Sequence, residues 1–109
     1  MTGWTLLGFA IAAEVVGTTA LRASNGLTRV VPVTVSTVAY LASFALLALT
    51  LKHLSLGTTY AIWSGVGTLA IAFIGRQVYH EVISFTTAAG IALVVVGVLV
   101  IHLGGGVSR

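Results

Sequence analysis

The sequence predicts an all-α integral membrane protein built from four transmembrane helices. Of its 109 residues, 58% are hydrophobic and only 6% are charged, and the mean hydropathy is +1.13. A water-soluble domain needs far more charge than this on its surface. Polar residues divide the chain into four apolar segments, each close to the roughly 20 residues that a helix needs to cross a bilayer core. We therefore expect a single four-helix transmembrane domain, 1–109.

The four segments follow one another with short connections. No Lys or Arg precedes the first apolar run, so we expect a retained helix rather than a signal peptide. It ends before Asn25-Gly26, a strong turn signal. The second segment has Pro32 in its first turn, where a missing N–H costs little. Connections this short make consecutive helices antiparallel neighbours. The predicted helices are 4–21, 30–51, 58–79 and 85–103.

Charge and cysteine content exclude several classes of protein. The five Lys and Arg residues are scattered, so neither a nucleic-acid surface nor a polybasic lipid patch has support. Without cysteine the chain has no disulfide and no thiolate chemistry. The three histidines lack ligand spacing, and no nucleophile has a base partner. We expect no metal, no cofactor and no enzyme activity.

One acidic residue lies where a membrane protein would normally avoid charge. Glu14 is inside the first apolar segment, and the nearest other charge along the chain is Arg22. A charge at that depth costs at least about 3 kcal/mol, and such residues usually face the bundle interior or a cavity. Gly17 and Thr18, one turn later, leave space beside the carboxylate. We interpret Glu14 as a binding group for a guest; the alternative is a protonated acid that joins helices by a hydrogen bond.

Aromatic residues in the two middle segments indicate the nature of that guest. They form two stripes at helical spacing, Tyr60, Trp63, Ser64 and Gly67 in the third segment and Tyr40, Phe44 and Leu47 in the second. Aromatic faces attract a cation, and a carboxylate neutralises it. A lipophilic cation would fit between such rings and Glu14. Taken alone, Trp63 could equally be an interface anchor or a core residue.

The charges on the connections leave the orientation open. With four crossings, the first and third connections lie on one side of the membrane and carry Arg22, Arg29 and Arg76. The amino terminus, the second connection and the tail lie on the other side and carry Lys52 and Arg109. An excess of Lys and Arg normally marks the cytoplasmic side, and three against two is almost no bias. The chain either inserts in both orientations and pairs with its own inverted copy, or other factors select one orientation.

Several stretches of the sequence form a specific combination. They are AEVVGTTAL with SNGLTR..P, then Y..SF.LL...L, LGTTYAIWSGVG, and G......G in the last segment. Together they cover nearly the whole chain and resemble the small multidrug resistance family of proton-coupled exporters. Gly17-Thr18 after the glutamate resembles the quaternary-ammonium and multidrug branch, because the guanidinium-exporting branch typically has Trp at the first of these positions.

The resemblance implies a role for individual residues. Glu14 would bind protons and cations in turn, in an antiparallel homodimer to which each protomer contributes one carboxylate. Gly65 and Gly67 would permit a kink in the third helix, and Gly90 and Gly97 would form the dimer contact of the fourth. The implied substrate pocket contains Gly17, Thr18, Tyr40, Phe44, Leu47, Tyr60, Trp63 and Ser64.

The predicted function is antiport of lipophilic, often aromatic or quaternary ammonium, cations against protons in the cytoplasmic membrane of a prokaryote. The coupling ion is the proton, and lipid is the surrounding medium. The alternatives are a guanidinium exporter of the same family, a subunit of a proton-conducting ring and a structural membrane subunit. A ring needs no aromatic pocket, and a structural subunit leaves Glu14 unexplained. Three residues are unusual for the family or unassigned, namely Arg76, Glu81 and His102.

Overall fold

The computed structural model describes residues 3–104 and contains four helices, α1 (Gly3–Ala23), α2 (Val30–Thr50), α3 (Leu56–Val78) and α4 (Phe85–Leu103). All four are long and apolar enough to cross a membrane. Residues 3–104 include no β-strand. The predicted four-helix, all-α fold class is confirmed. Arg109 in the tail lies outside the described residues.

The chain divides into two compact units, Met1–His53 and Leu54–Arg109. We call α1 with α2 the first pair and α3 with α4 the second pair. In the first pair Ala10 contacts Ser43 while Thr18 contacts Tyr40, so residue numbers rise along α1 as they fall along α2. The two helices are antiparallel, as the short connection predicts. That 1–109 forms a single domain stays a prediction.

Three small hydroxyl residues form the α2 side of the first pair. Ser36, Ser43 and Thr50 are spaced by seven and are all buried. Small side chains at this spacing let two helices approach closely along one face. Ser43 Oγ donates to the carbonyl of Ala10 across the interface at 2.8 Å, whereas Thr50 Oγ1 donates to Leu46 within its own helix. We name these three residues the hydroxyl seam, and within it the bond from Ser43 to Ala10 ties the register of α2 to that of α1.

The loop between α1 and α2 is built around Ser24, which is completely buried. Its hydroxyl donates to the carbonyl of Leu21 and accepts from the N–H of Leu27. Two further loop amides bond to its carbonyl. Residues 25–27 all have positive φ angles, which a leucine rarely adopts. These bonds hold the loop in one tight conformation.

Each helix of the second pair begins with a serine N-cap. Ser55 accepts a hydrogen bond from the N–H of Thr58, and Ser84 accepts one from Thr87. Such caps satisfy backbone donors that the helix itself leaves open. α3 and α4 border a common groove, and Gly65 of α3 lies against Val94 and Val98 of α4. No residue of α4 is buried.

Gly65 lets α3 and α4 approach each other. A methyl group at this position would collide with Cγ2 of Val98, and a valine in a helix has little rotamer freedom. We expect Gly65→Ala to lower the free energy of unfolding in detergent micelles by about 1–3 kcal/mol. Gly8→Ala is the matched control, because no atom lies within 4 Å of its added methyl. Equal stability of the two variants would contradict this close contact.

Candidate functional site

Glu14 and Thr18 form the centre of the candidate site. Glu14 lies near the middle of α1 and is partly buried, and the only other charged residue of that helix is Arg22, two turns later. Thr18 lies on the same face as Glu14, and its Oγ1 donates to Glu14 Oε1 at 2.7 Å. A distance this short is typical of a hydroxyl bound to a carboxylate. The site therefore contains an acid, held by a hydroxyl, within an apolar helix.

Tyr40 on α2 completes this cluster. Its hydroxyl oxygen lies 2.7 Å from Thr18 Oγ1. Its ring packs on Gly17, where a Cβ atom would lie only 3.0 Å from Tyr40 Cδ1. The structure therefore brings together four of the residues singled out in the sequence, Glu14, Gly17, Thr18 and Tyr40.

Phe44 and Leu47 follow Tyr40 along α2. Phe44 is exposed and Leu47 is partly buried. Their contribution to a substrate pocket stays a prediction.

Ser43 supports the site and was not among the residues singled out in the sequence. The Ala10 carbonyl that it binds is also the helical acceptor for the N–H of Glu14, four residues later. Ser43 thereby ties α2 to the turn of α1 that carries the carboxylate. The spacing of seven between Ser36, Ser43 and Thr50 was the available sequence signal.

The second pair carries the aromatic residues of α3. The rings of Tyr60 and Trp63 meet edge to face, with centroids 5.7 Å apart and planes at 84°. This arrangement is favourable for two aromatic rings, and it leaves Tyr60 largely exposed. Ser64 borders a groove of about 290 Å³ between α3 and α4. That these three residues join Glu14 in one pocket stays a prediction.

The predicted glycine roles have different structural settings. α3 runs as one helix through Gly65 and Gly67, so their part in a kink stays a prediction. Gly90 and Gly97 on α4 are exposed, and no atom lies within 4 Å of an added Cβ at either. Their part in a dimer contact also stays a prediction.

Trp63 offers a direct test of the predicted aromatic pocket. We expect Trp63→Phe to weaken the binding of an aromatic cation by roughly 0.5–2 kcal/mol, because a smaller ring attracts the cation less. Trp63→Ala should weaken it further by also opening space. Isothermal titration of the reconstituted protein with tetraphenylphosphonium measures both. Trp63→Ala protein that binds as tightly as the original would show that Trp63 lies outside the pocket.

Comparison with known proteins identifies the family. The Small Multidrug Resistance protein family matches residues 2–94. The chain belongs to this family. Among small multidrug resistance relatives, NepA, a nicotine metabolites export pump subunit of Paenarthrobacter nicotinovorans, is 42% identical over 106 residues, covering 97% of this chain and 91% of NepA.

Two Escherichia coli relatives are similarly close. The multidrug transporter EmrE is 41% identical over 103 residues, and the quaternary ammonium compound-resistance protein QacE is 37% identical over 103 residues. Each alignment covers 94% of this chain and 94% of the relative. Membership of the small multidrug resistance family confirms the resemblance seen in the sequence. It identifies the chain as a transporter rather than an enzyme, located in the cytoplasmic membrane of a prokaryote.

Proposed function

We propose that the protein exports lipophilic cations, often aromatic or quaternary ammonium compounds, in exchange for protons. The proposal rests on the position of Glu14, whose carboxylate lies within an apolar membrane-spanning helix and accepts a hydrogen bond from Thr18, which in turn contacts the hydroxyl of Tyr40. A charge in such a place favours a counter-ion. The similarity to EmrE, a multidrug transporter, and to QacE, a quaternary ammonium compound-resistance protein, supports cationic substrates.

The exchange follows from competition for one carboxylate. A proton or a monovalent cation can each neutralise Glu14, and the arrival of one favours release of the other. When the site opens to one side of the membrane at a time, a proton gradient then drives the cation outward. Within this scheme the protein makes and breaks no covalent bond other than that of the transferred proton.

The aromatic residues would give the site its preference for large flat cations. The rings of Tyr60 and Trp63 lie nearly perpendicular to each other. A cation can therefore contact the face of one ring while its apolar groups contact the other ring. We also propose an antiparallel homodimer, in which each protomer supplies one Glu14. The open surface at Gly90 and Gly97 on α4 is suited to close contact with a second helix.

Transport by purified protein in proteoliposomes tests this function. With a pH gradient as the only energy source, we expect uptake of a quaternary ammonium cation against its concentration gradient. Adding the cation on one side should also drive measurable proton movement. Proton flux without any cation would instead indicate a proton-conducting subunit, and neither flux would indicate a structural subunit. Transport of guanidinium with no transport of larger cations would favour the guanidinium-exporting alternative.

A further inference from the structure

We propose that Thr18 is a positioning residue that links Glu14 to Tyr40 through a directional chain of hydrogen bonds, and that Gly17 makes this chain possible by seating the Tyr40 ring. The inference rests on the proposed function and deepens it, because it assigns the part of the site that holds the carboxylate ready for a cation. Its members all lie in the first pair, on facing turns of α1 and α2.

The chemistry of the three groups sets the direction of the chain. An ionised carboxylate only accepts hydrogen bonds, and a threonine hydroxyl has one hydrogen to donate. Since Thr18 donates to Glu14, the bond at 2.7 Å between Thr18 and Tyr40 must be donated by the tyrosine. The chain therefore runs from Tyr40 Oη to Thr18 Oγ1 to Glu14 Oε1. Hydrogen bonds in such a series strengthen one another.

Protonation of Glu14 reverses this direction. A protonated carboxyl group has an O–H to donate, so Glu14 can donate to Thr18, and Thr18 can then donate to Tyr40. The Tyr40 hydroxyl hydrogen becomes available to another acceptor. Tyr40 therefore presents a different hydrogen-bonding face when Glu14 carries a proton than when it is ionised. Removal of the Thr18 hydroxyl takes the hydrogen-bond donor away from the ionised form of Glu14, which is the form that binds a cation.

Gly17 places the Tyr40 hydroxyl within reach of Thr18. The tyrosine ring lies so close to the α1 backbone that a Cβ atom at position 17 would be 3.0 Å from Cδ1 and 3.1 Å from Cε1. These distances are shorter than ordinary carbon contacts, so even an alanine must push the ring outward. The hydroxyl at the end of the ring moves with it, and the bond to Thr18 lengthens. Position 17 thus acts on Glu14 through Tyr40.

The test measures tetraphenylphosphonium affinity of the full-length protein in lipid nanodiscs, at acidic and at alkaline pH. Thr18→Val keeps the shape of the side chain and removes its hydroxyl, and we expect about tenfold weaker binding. The loss should be greater at acidic pH, because the proton is the competitor. Thr18→Ser restores the hydroxyl and should cost at most about fourfold, the value of one lost methyl group.

Double variants separate the chain from independent contacts. Thr18→Val combined with Tyr40→Phe should bind no more weakly than Thr18→Val alone, since the Tyr40 hydroxyl acts through Thr18. Gly17→Ala should weaken binding in the original protein and have little further effect in the Tyr40→Phe background. Gly8→Ala on the same helix has open space around it and serves as the control. If the affinity losses of the two single substitutions multiply in these double variants, the two residues act independently and the proposed chain is wrong.

One further comparison separates this inference from the proposed function. If Glu14→Gln abolishes binding while Thr18→Val binds normally at both pH values, the chain is wrong and the proposed function stands. If Glu14→Gln protein binds the cation as tightly as the original, the proposed function fails and the chain fails with it. Thr18→Ser protein that binds as weakly as Thr18→Val would also overturn the chain, since the hydroxyl would then not be the group that matters.

Discussion

Replacing Glu14 with glutamine is expected to abolish both cation binding and cation-driven proton release. Glutamine keeps the size of the side chain and its ability to accept the hydrogen bond from Thr18, and removes only the charge. Loss of one partner from a buried charge pair typically costs about 3–5 kcal/mol, which corresponds to at least about a hundredfold in affinity. Isothermal titration and proton release in weakly buffered solution measure the two effects.

The second acid of the chain provides the control. Glu81 is exposed and lies between α3 and α4, so Glu81→Gln removes an equal charge outside the membrane-spanning helices. We expect this variant to bind the cation and to release protons as the original protein does. Glu14→Asp should retain binding with a changed pH dependence. Resistance equal to that of the original protein in cells that carry Glu14→Gln would refute the exchange mechanism.

Small changes in surface charge are expected to decide the orientation of the chain and, with it, activity. The two faces carry three and two Lys or Arg residues, so one or two charges should tip the balance. Adding Lys near Arg109 and neutralising Arg22 should place the tail in the cytoplasm in nearly all copies. Adding Arg to the first loop should do the reverse. Each variant alone should lose resistance, and the two expressed together should regain it, because they supply both halves of an antiparallel dimer.

Single introduced cysteines can report the orientation in this naturally cysteine-free chain. Ser24 is unsuitable for this purpose because it is completely buried, and Ser108 lies outside the described residues. Thr28 and His53 are exposed and lie in the first and second loops, which face opposite sides of the membrane. Labelling of the original protein from one side only, with activity intact, would exclude dual insertion.

The helices were predictable because hydropathy and turn residues act locally. Asn25-Gly26 and the apolar runs around it depend on nothing distant in the chain. The connection after α3 was less predictable. There, His80 adopts a left-handed conformation, and the Glu81 carboxylate folds back against Gly75, where any Cβ atom would collide with it. A Cβ atom at position 75 would displace this carboxylate, and no local pattern indicates which side chain will occupy the space.

The candidate site was predictable within one helix and less so between helices. Thr18 follows Glu14 by four residues, so helical periodicity alone places the two on one face. The bond from Tyr40 to Thr18 depends on the register of α2 against α1, which the hydroxyl seam sets together with the absence of a side chain at Gly17. Register arises from packing over several turns, and hydropathy does not encode it.

The contrast between the two helix pairs bears on the order in which the protein folds. Two hydrogen bonds across the first pair join residues 22 and 33 positions apart, and both lie before residue 54. Contacts of such modest sequence separation form early, and a chain emerging from the ribosome can complete them while its remaining half is still being made. α4, with no residue buried, gains far less from contacts within its own pair. The first pair, which carries Glu14, would therefore assemble in the membrane during synthesis, before the aromatic residues of α3 have been added to the chain.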